Sequence, residues 1–281
     1  MKIGFIGQGW IGKHYADDFE NRGYIVVRYA LEEKYIGNKD EIGTCDIVFI
    51  AVPTPTTEKG FDDSIVRSSL RYVGEGKIAV IKSTIVPGTT ESIQKENPNV
   101  FVVHSPEFLV ELTAAEDAAH PNRNIIGIPL DTPLYREKAQ IVLDVLPNAP
   151  YETTMLSRDA EFVKYAGNCY LFTKVMFMNM LHDLVIAMEG DWNKIQEALI
   201  HDPRIGESHT QPVHKGGRGA GGHCFIKDFE AFRHMYESLV HDPVGNKILE
   251  AEAHKNIQLL RASQKDLDLL HGVYGDLNKY L

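Results

Sequence analysis

The sequence predicts an α/β fold in two parts, a parallel sheet wrapped by helices followed by an all-α half. Three observations carry that prediction. Short β-rich runs alternate with helical patterns through the first half, the signature of βαβ units. A glycine triplet, Gly7-Gln8-Gly9-Trp10-Ile11-Gly12, stands between the first run and the first helical pattern. From about Ser157 onward the pattern becomes helical.

Residues 2–6, 24–29, 46–52, 77–81, 100–104 and 124–128 predict strands. Helical segments lie between most of them, so parallel packing is expected in a first domain over residues 1–150. The second domain, 151–281, is expected to carry helices over 157–188, 192–201, 228–239 and 242–260. Between the second and third of these lies 202–222, rich in Gly, Pro and His and too long for an idle connection, which marks it as functional. The apolar stretch 170–188 contains Lys174, Asn179, His182 and Asp183, which would place charges in a bilayer, so it reads as a buried soluble helix. Its Phe172, Met176, Phe177, Met178 and Met180 read as core or dimer contact, because an apolar helix this wide needs two covered faces. Residues 269–281 carry weak signals and read as a tail.

Composition narrows the function. An apolar fraction of 43% over 281 residues is that of a globular protein. The 29 basic and 39 acidic residues, net -10, argue against a nucleic-acid or anionic-membrane surface and leave room for a local basic pocket around a phosphorylated ligand. The first residues run straight into a strand pattern without the features of a secretory leader, so no export is expected. Three cysteines, Cys45, Cys169 and Cys224, form a sparse, odd set that fits free thiols in a reducing cytoplasm.

In the glycine triplet the first glycine permits the turn, the second admits a pyrophosphate, and the third lets helix and strand pack closely. The positive end of the following helix favours phosphates. This context predicts a Rossmann-type dinucleotide-binding domain. The acidic residue expected to bond the adenosine ribose falls near Ala30, with Glu32 and Glu33 just beyond it and Arg28 just before. Glu32 or Glu33 favours NAD, and Arg28 leaves NADP open.

The stretch Gly219-Ala220-Gly221-Gly222-His223-Cys224-Phe225-Ile226-Lys227-Asp228 sets a cysteine between a glycine-rich loop and a Lys-Asp pair. Glycines let a backbone approach a ligand and adopt positive φ, and a nearby lysine favours the thiolate. That is a setting for a nucleophile, whereas Cys45 and Cys169 read as small buried apolar residues. His209, His214, His223 and Cys224 match no common zinc spacing, and no metal is expected.

Several ordered motifs accompany these two: Ala51-Val52-Pro53-Thr54-Pro55; Lys82-Ser83-Thr84-Ile85-Val86-Pro87-Gly88-Thr89-Thr90; Ser105-Pro106-Glu107-Phe108-Leu109-Val110-Glu111; and Lys164-Tyr165-Ala166-Gly167-Asn168. Together they resemble the UDP-glucose/GDP-mannose dehydrogenase family, from residue 1 to about 260. The resemblance implies oxidation of a sugar C6 alcohol to a carboxylate with two NAD molecules, through a thiohemiacetal and thioester on Cys224. It implies that Lys164 stabilises the oxyanion and that Asn168, one helical turn onward, holds the oxyanion or a bound water. It makes Asp228 the residue that positions water and lysine, Glu111 the base for thioester hydrolysis, and Thr84 a member of the water network that also meets the nicotinamide. Gly7, Gly9, Trp10, Ile11 and Gly12 would follow the pyrophosphate, Val52 and Thr54 the adenosine side, and Lys227 would add a cationic contact. Phe108, Leu109 and Gly221, with Lys164 and Asn168, would embrace the hexose. Glu107 ranks below Glu111 as a structural residue. A homodimer through the long helix is the implied state.

Longer family members carry a second Rossmann-like domain that grips the nucleotide, and the expectation here is a compact relative without it. Val110, Ala220 and Ile226 stand where arginine, an aromatic and proline are common, which puts substrate identity in question. Two other readings stay open: a two-electron β-hydroxyacid-type dehydrogenase using Lys164 and Asn168, and a non-catalytic NAD-binding dimer.

Overall fold

The computed structural model describes residues 1–280 and divides the chain into two compact units. In chain order the first elements are β1 (Lys2–Ile6), α1 (Trp10–Asn21), β2 (Ile25–Tyr29), α2 (Glu33–Ile36), β3 (Ile47–Ile50), β4 (Thr56–Thr57), β5 (Gly60–Phe61), α3 (Ser64–Ser69) and β6 (Ile78–Ile81). Next come α4 (Thr89–Glu96), β7 (Phe101–His104), α5 (Ala114–Ala119), β8 (Arg123–Ile128), α6 (Pro133–Val145), β9 (Tyr151–Leu156) and α7 (Ser157–Ala187). The remainder is α8 (Trp192–Ile200), β10 (Val213–His214), β11 (Gly217–Arg218), α9 (Gly222–Val240), α10 (Pro243–Ala262) and α11 (Leu267–Tyr274).

The first unit comprises Met1–Thr54 and Asp62–Lys164. Its seven-stranded sheet runs β2-β1-β3-β6-β7-β8-β9. Strands β3 and β6 are buried along their whole length, as apolar runs covered on both faces must be. Phe5 stacks on Phe49 at 5.0 Å, and Phe19 from α1 meets Phe5 edge-on at 5.5 Å, pinning α1 to the sheet.

Two features depart from expectation. Strand β8 runs antiparallel to β7, with His104 opposite Gly127, so the sheet is not wholly parallel. The connection 105–122 therefore starts and ends at one edge, the carboxyl edge of β7, and keeps Pro106–Glu111 there. The second departure is β9, which pairs in parallel with β8 through all six of its residues. The first unit consequently runs to Lys164, two turns into α7, rather than stopping at 150.

The second unit comprises Pro55–Phe61 and the chain from Tyr165 onward. Phe172 of α7 lies flat on Phe229 of α9 at 3.8 Å, and Ile226, Ile257, Leu260, Leu270, Val273, Tyr274 and Leu277 form an apolar cluster. That cluster explains why the supposed tail is ordered: Leu270, Val273 and Tyr274 give α11 a buried face. Side chains of Asp191 and Asp242 cap α8 and α10, with Pro243 opening the latter.

Helix α7 is long and apolar enough, by length and composition, to cross a membrane. Its polar residues are nevertheless used within the unit: Arg218 donates to the buried Asn179 side chain at 2.8 Å and pairs with Asp183 at 2.7 Å. Phe172, Met176 and Met178 are buried, while Tyr170, Phe177, Met180, Leu184, Ile186 and Met188 are exposed.

Candidate functional site

In the first unit the glycine triplet has the sterics that a dinucleotide turn requires. Gly7 has φ +91°, and a Cβ there would lie 2.2 Å from the carbonyl oxygen of Ala51. A Cβ on Gly12 would lie 1.9 Å from the carbonyl oxygen of Gly7, so only glycine lets α1 approach β1. Gly9 has no heavy atom within 4 Å of the position its Cβ would take, which leaves open space at the helix start. Trp10 and Ile11 open α1, no acidic side chain occupies its first turn, and its free N–H groups face that space. The residues present fit a bound pyrophosphate.

Arg28, the residue that left NADP open, is occupied. Its guanidinium pairs with Asp17 and Glu20, each at 2.7 Å, on α1. Glu32 stands exposed at the start of α2. This favours NAD over its 2′-phosphorylated form.

Val52 and Thr54, expected on the adenosine side, and Thr84, expected at the nicotinamide, lie together past the ends of β3 and β6. The backbone N–H of Val52 donates to Ser83 Oγ at 2.9 Å, and the buried Thr54 hydroxyl donates to the carbonyl of Thr84 at 2.7 Å. The turn after Thr84 is held by a residue that motif reading missed. Glu161 of α7, fully buried, accepts from the backbone N–H of Gly88 at 2.5 Å and of Thr90 at 2.9 Å, and from the Thr90 hydroxyl at 2.5 Å. Burial pushes its carboxyl up to about 7, against the pull of those donors. Its signal was its position, three residues before Lys164 on the same helix.

At the carboxyl edge of β7, Glu107 is a clamp. Its Oε1 accepts from the backbone N–H groups of Phe108 at 2.6 Å and Leu109 at 2.9 Å, and its Oε2 lies 3.2 Å from Lys82 Nζ. Lys82 also reaches Ser105 Oγ at 3.1 Å and sits 4.2 Å above the Tyr15 ring. Burial lowers the lysine's pKa, and Glu107 opposes that. Burial, with the Lys82 charge second, drives His104 down to about 3, so this histidine stays neutral. Beside the clamp is a cavity of about 290 Å³ reached by Tyr15, Lys82, Glu107, Phe108, Arg123 and Asn124. Phe108 is held between two cations, Arg123 at 3.8 Å and Lys164 at 5.8 Å from its ring centre. Glu111 opens a short 3-10 turn, Glu111–Thr113, and is exposed.

In the second unit α9 begins at Gly222, not near 228 as expected, so Cys224 rides on its first turn. Cys224 is exposed, whereas Cys45 and Cys169 are buried. Burial raises both of those thiols, Cys45 to about 11. One turn beyond Cys224, Asp228 is wholly buried and joins two predicted residues: Asn168 Nδ2 donates to its Oδ2 at 2.6 Å, and Lys227 Nζ to its Oδ1 at 2.5 Å. Asn168 is thereby oriented by a buried, immobile side chain. Lys227, expected at the cofactor, pairs with Asp228 here. Lys164 lies one turn before Asn168 on α7 and is mostly buried.

The loop before Cys224 is gripped by residues without a motif. Asn256 of α10 brackets Ala220, accepting from its N–H at 2.7 Å and donating to its carbonyl at 3.0 Å. Asp266 Oδ2 accepts from the N–H of Gly222 at 2.7 Å. A Cβ on Gly221 would lie 2.0 Å from that oxygen, which explains the glycine.

Comparison with known proteins agrees with this arrangement. Residues 26–137 match the NAD binding domain of the UDP-glucose/GDP-mannose dehydrogenase family, and residues 158–257 match its central domain. A putative UDP-glucose 6-dehydrogenase of Bacillus subtilis, YtcA, is 34% identical over 209 residues, 69% of this chain and 47% of its own length. The UDP-glucose 6-dehydrogenase of Pseudomonas aeruginosa is 33% identical over 234 residues, 78% of this chain and 51% of its own. A UDP-glucose dehydrogenase structure from Pyrobaculum islandicum superimposes with a TM-score of 0.77 at 28% identity, covering 93% of this chain and 70% of that one. The chain spans about half the length of these two curated relatives.

Proposed function

This chain belongs to the UDP-glucose/GDP-mannose dehydrogenase family, and we propose that it is an NAD-dependent nucleotide-sugar 6-dehydrogenase of the UDP-glucose to UDP-glucuronate type. The observation that carries the reading is an exposed Cys224 on the first turn of α9, one turn ahead of a buried Asp228 that fixes Asn168.

Bound NAD supplies a hydride acceptor, used twice per sugar. Cys224 adds its sulfur to the C6 aldehyde, and the resulting thiohemiacetal oxyanion is stabilised by the Lys164 ammonium and the Asn168 amide. Asp228 keeps that amide aimed. After the second oxidation the carbon is a thioester on Cys224. Glu111 takes a proton from the water that attacks it, the C–S bond breaks, and carboxylate and thiol separate. Phe108, pinned between Arg123 and Lys164, and Leu109, whose N–H is held by Glu107, form a rigid wall for the hexose.

We place the protein in the cytoplasm, as its free cysteines suggest, and as a homodimer. The exposed Tyr170, Phe177 and Leu184 recur every seventh residue along α7, the spacing of a helix-pairing seam. Light scattering should give twice the monomer mass.

The test of the activity is incubation with NAD and a panel of UDP- and GDP-hexoses, reading NADH yield and product mass together. Two NADH per sugar and a product with the mass of the C6 acid are expected. Cys224→Ser should stall after the first oxidation, and full turnover by Cys224→Ala would end the covalent mechanism.

A further inference from the structure

The turn between α10 and α11 touches the cysteine loop at three points. Ser263 Oγ accepts from the N–H of Arg218 at 2.9 Å, Lys265 Nζ donates to the carbonyl of Gly219 at 3.2 Å, and Asp266 Oδ2 accepts from the N–H of Gly222 at 2.7 Å. The turn lies past residues 158–257, the span matched to the family's central domain. It is also conformationally costly: Gln264 and Asp266 both hold a left-handed backbone, with φ 53° at each. Non-glycine residues persist in that region only where their surroundings over-determine them, and such outliers cluster at working sites.

The last of the three contacts has an electrostatic side. Gly222 is the first residue of α9, and the positive end of a helix favours a thiolate on its first turn. A carboxylate bonded to that same end places a negative charge against it while fixing the backbone that carries the sulfur. The other titratable groups around this helix start are His223, Lys227 and Asp228 on α9, His209 packed on Phe225, and Lys215 and Lys265 from the neighbouring loops.

We infer that Asp266 is a positioning residue for Cys224: through Gly222 it fixes the direction in which α9 presents the sulfur, at the expense of some thiol reactivity. The inference rests on Cys224 being the reacting thiol. The two functions of one carboxylate give it a signature of opposite signs, which a purely architectural role would not produce.

The experiment pairs iodoacetamide alkylation of the full chain, followed across pH, with turnover on NAD and the nucleotide sugar that serves the parent. Cys45 and Cys169 are buried with raised thiols, so alkylation near neutral pH reads Cys224. Asp266→Asn keeps the shape, an acceptor oxygen and tolerance of the left-handed backbone, and loses only the charge. Its Cys224 should alkylate about three-fold faster below the plateau, the size of a helix-end charge effect. Asp266→Ala loses the hydrogen bond as well, and its turnover should fall by about ten- to a hundred-fold. Because Cys224 is already exposed, a faster reaction does not reduce to easier access. Unchanged or slower alkylation in Asp266→Asn overturns the inference, as does parental turnover in Asp266→Ala. Should the parent turn over no nucleotide sugar, the dehydrogenase reading fails by itself, and the alkylation arm still decides the role of Asp266.

Discussion

The chain contains two glycine turns that each open a helix, and they are stabilised by different means. The turn at Gly7–Gly12 is fixed by backbone alone: Gly12 is required by the carbonyl of Gly7, and Gly7 by the carbonyl of Ala51, just past the end of β3. The turn at Gly219–Gly222 is fixed by side chains from a distant stretch, with Asn256, Ser263, Lys265 and Asp266 supplying its hydrogen bonds. A backbone-built turn is a sterically closed object that no side-chain change in its surroundings alters. A clamped turn can be tuned, because each clamp is a side chain that changes without altering the loop.

The comparison can be broken most directly at Gly12. Gly12→Ala forces a methyl against a carbonyl 1.9 Å away and should cost about 3 kcal/mol or more of stability, together with NAD affinity. Gly9→Ala meets nothing within 4 Å, so its unfolding free energy should stay within about 0.5 kcal/mol of the parent while NAD affinity falls. Calorimetric NAD titration and urea unfolding on both variants separate the two; equal stability losses would refute the backbone account.

On the clamped side, Asn256→Ala leaves the N–H and carbonyl of the buried Ala220 without partners and should cost about 2–3 kcal/mol. Hydrogen exchange should show faster opening at 218–224 than at 7–12. Uniform exchange across both turns would remove the distinction.

A further effect concerns pH, and it has opposite sign in the two units. Burial opposes ionisation of Glu230 in α9, but hydrogen bonds from His234 and Arg233 outweigh it and hold the carboxyl down to about 2. Its contribution is complete above the ordinary carboxylate value of 4.5 and is lost as pH falls through 2. Glu161 is raised to about 7, so the folded state binds more protons than the unfolded chain between 4.5 and 7, and stability falls as pH rises through that window. Glu161→Gln should flatten the upper window and Glu230→Gln the lower one, in unfolding midpoints measured from pH 2 to 8. Variant curves parallel to the parent's would contradict both.

Legibility in the sequence follows the same division. Strands β3 and β6 are short continuous apolar runs, and the glycine triplet has its context beside it, so the nucleotide half is readable residue by residue. Strand β9, Tyr-Glu-Thr-Thr-Met-Leu, lies at the sheet margin with half its residues polar and escapes notice. The direction of β8 is set by where its connection returns, which no local pattern encodes. Among candidate site residues, Cys224 is announced by its glycine loop and Lys-Asp pair, and Asn168 and Asp228 by the motifs that carry the family resemblance. Asn256 and Asp266 do not, since a polar residue on a helix or in a turn is ordinarily solvated, and their role exists only once the loop is folded against them.

The hairpin β4–β5 belongs to the second unit although its flanks, up to Thr54 and from Asp62, belong to the first. It packs on α9, β4 packs on α11, and Glu58 pairs with Lys279 of the terminal 3-10 turn. No single scission of the polypeptide therefore releases the second unit whole: a fragment beginning at residue 165 would leave behind seven residues, Pro55–Phe61, that its own helices are shaped to receive. The two units are folding partners by connectivity, and a gene split between them would have to carry that hairpin twice.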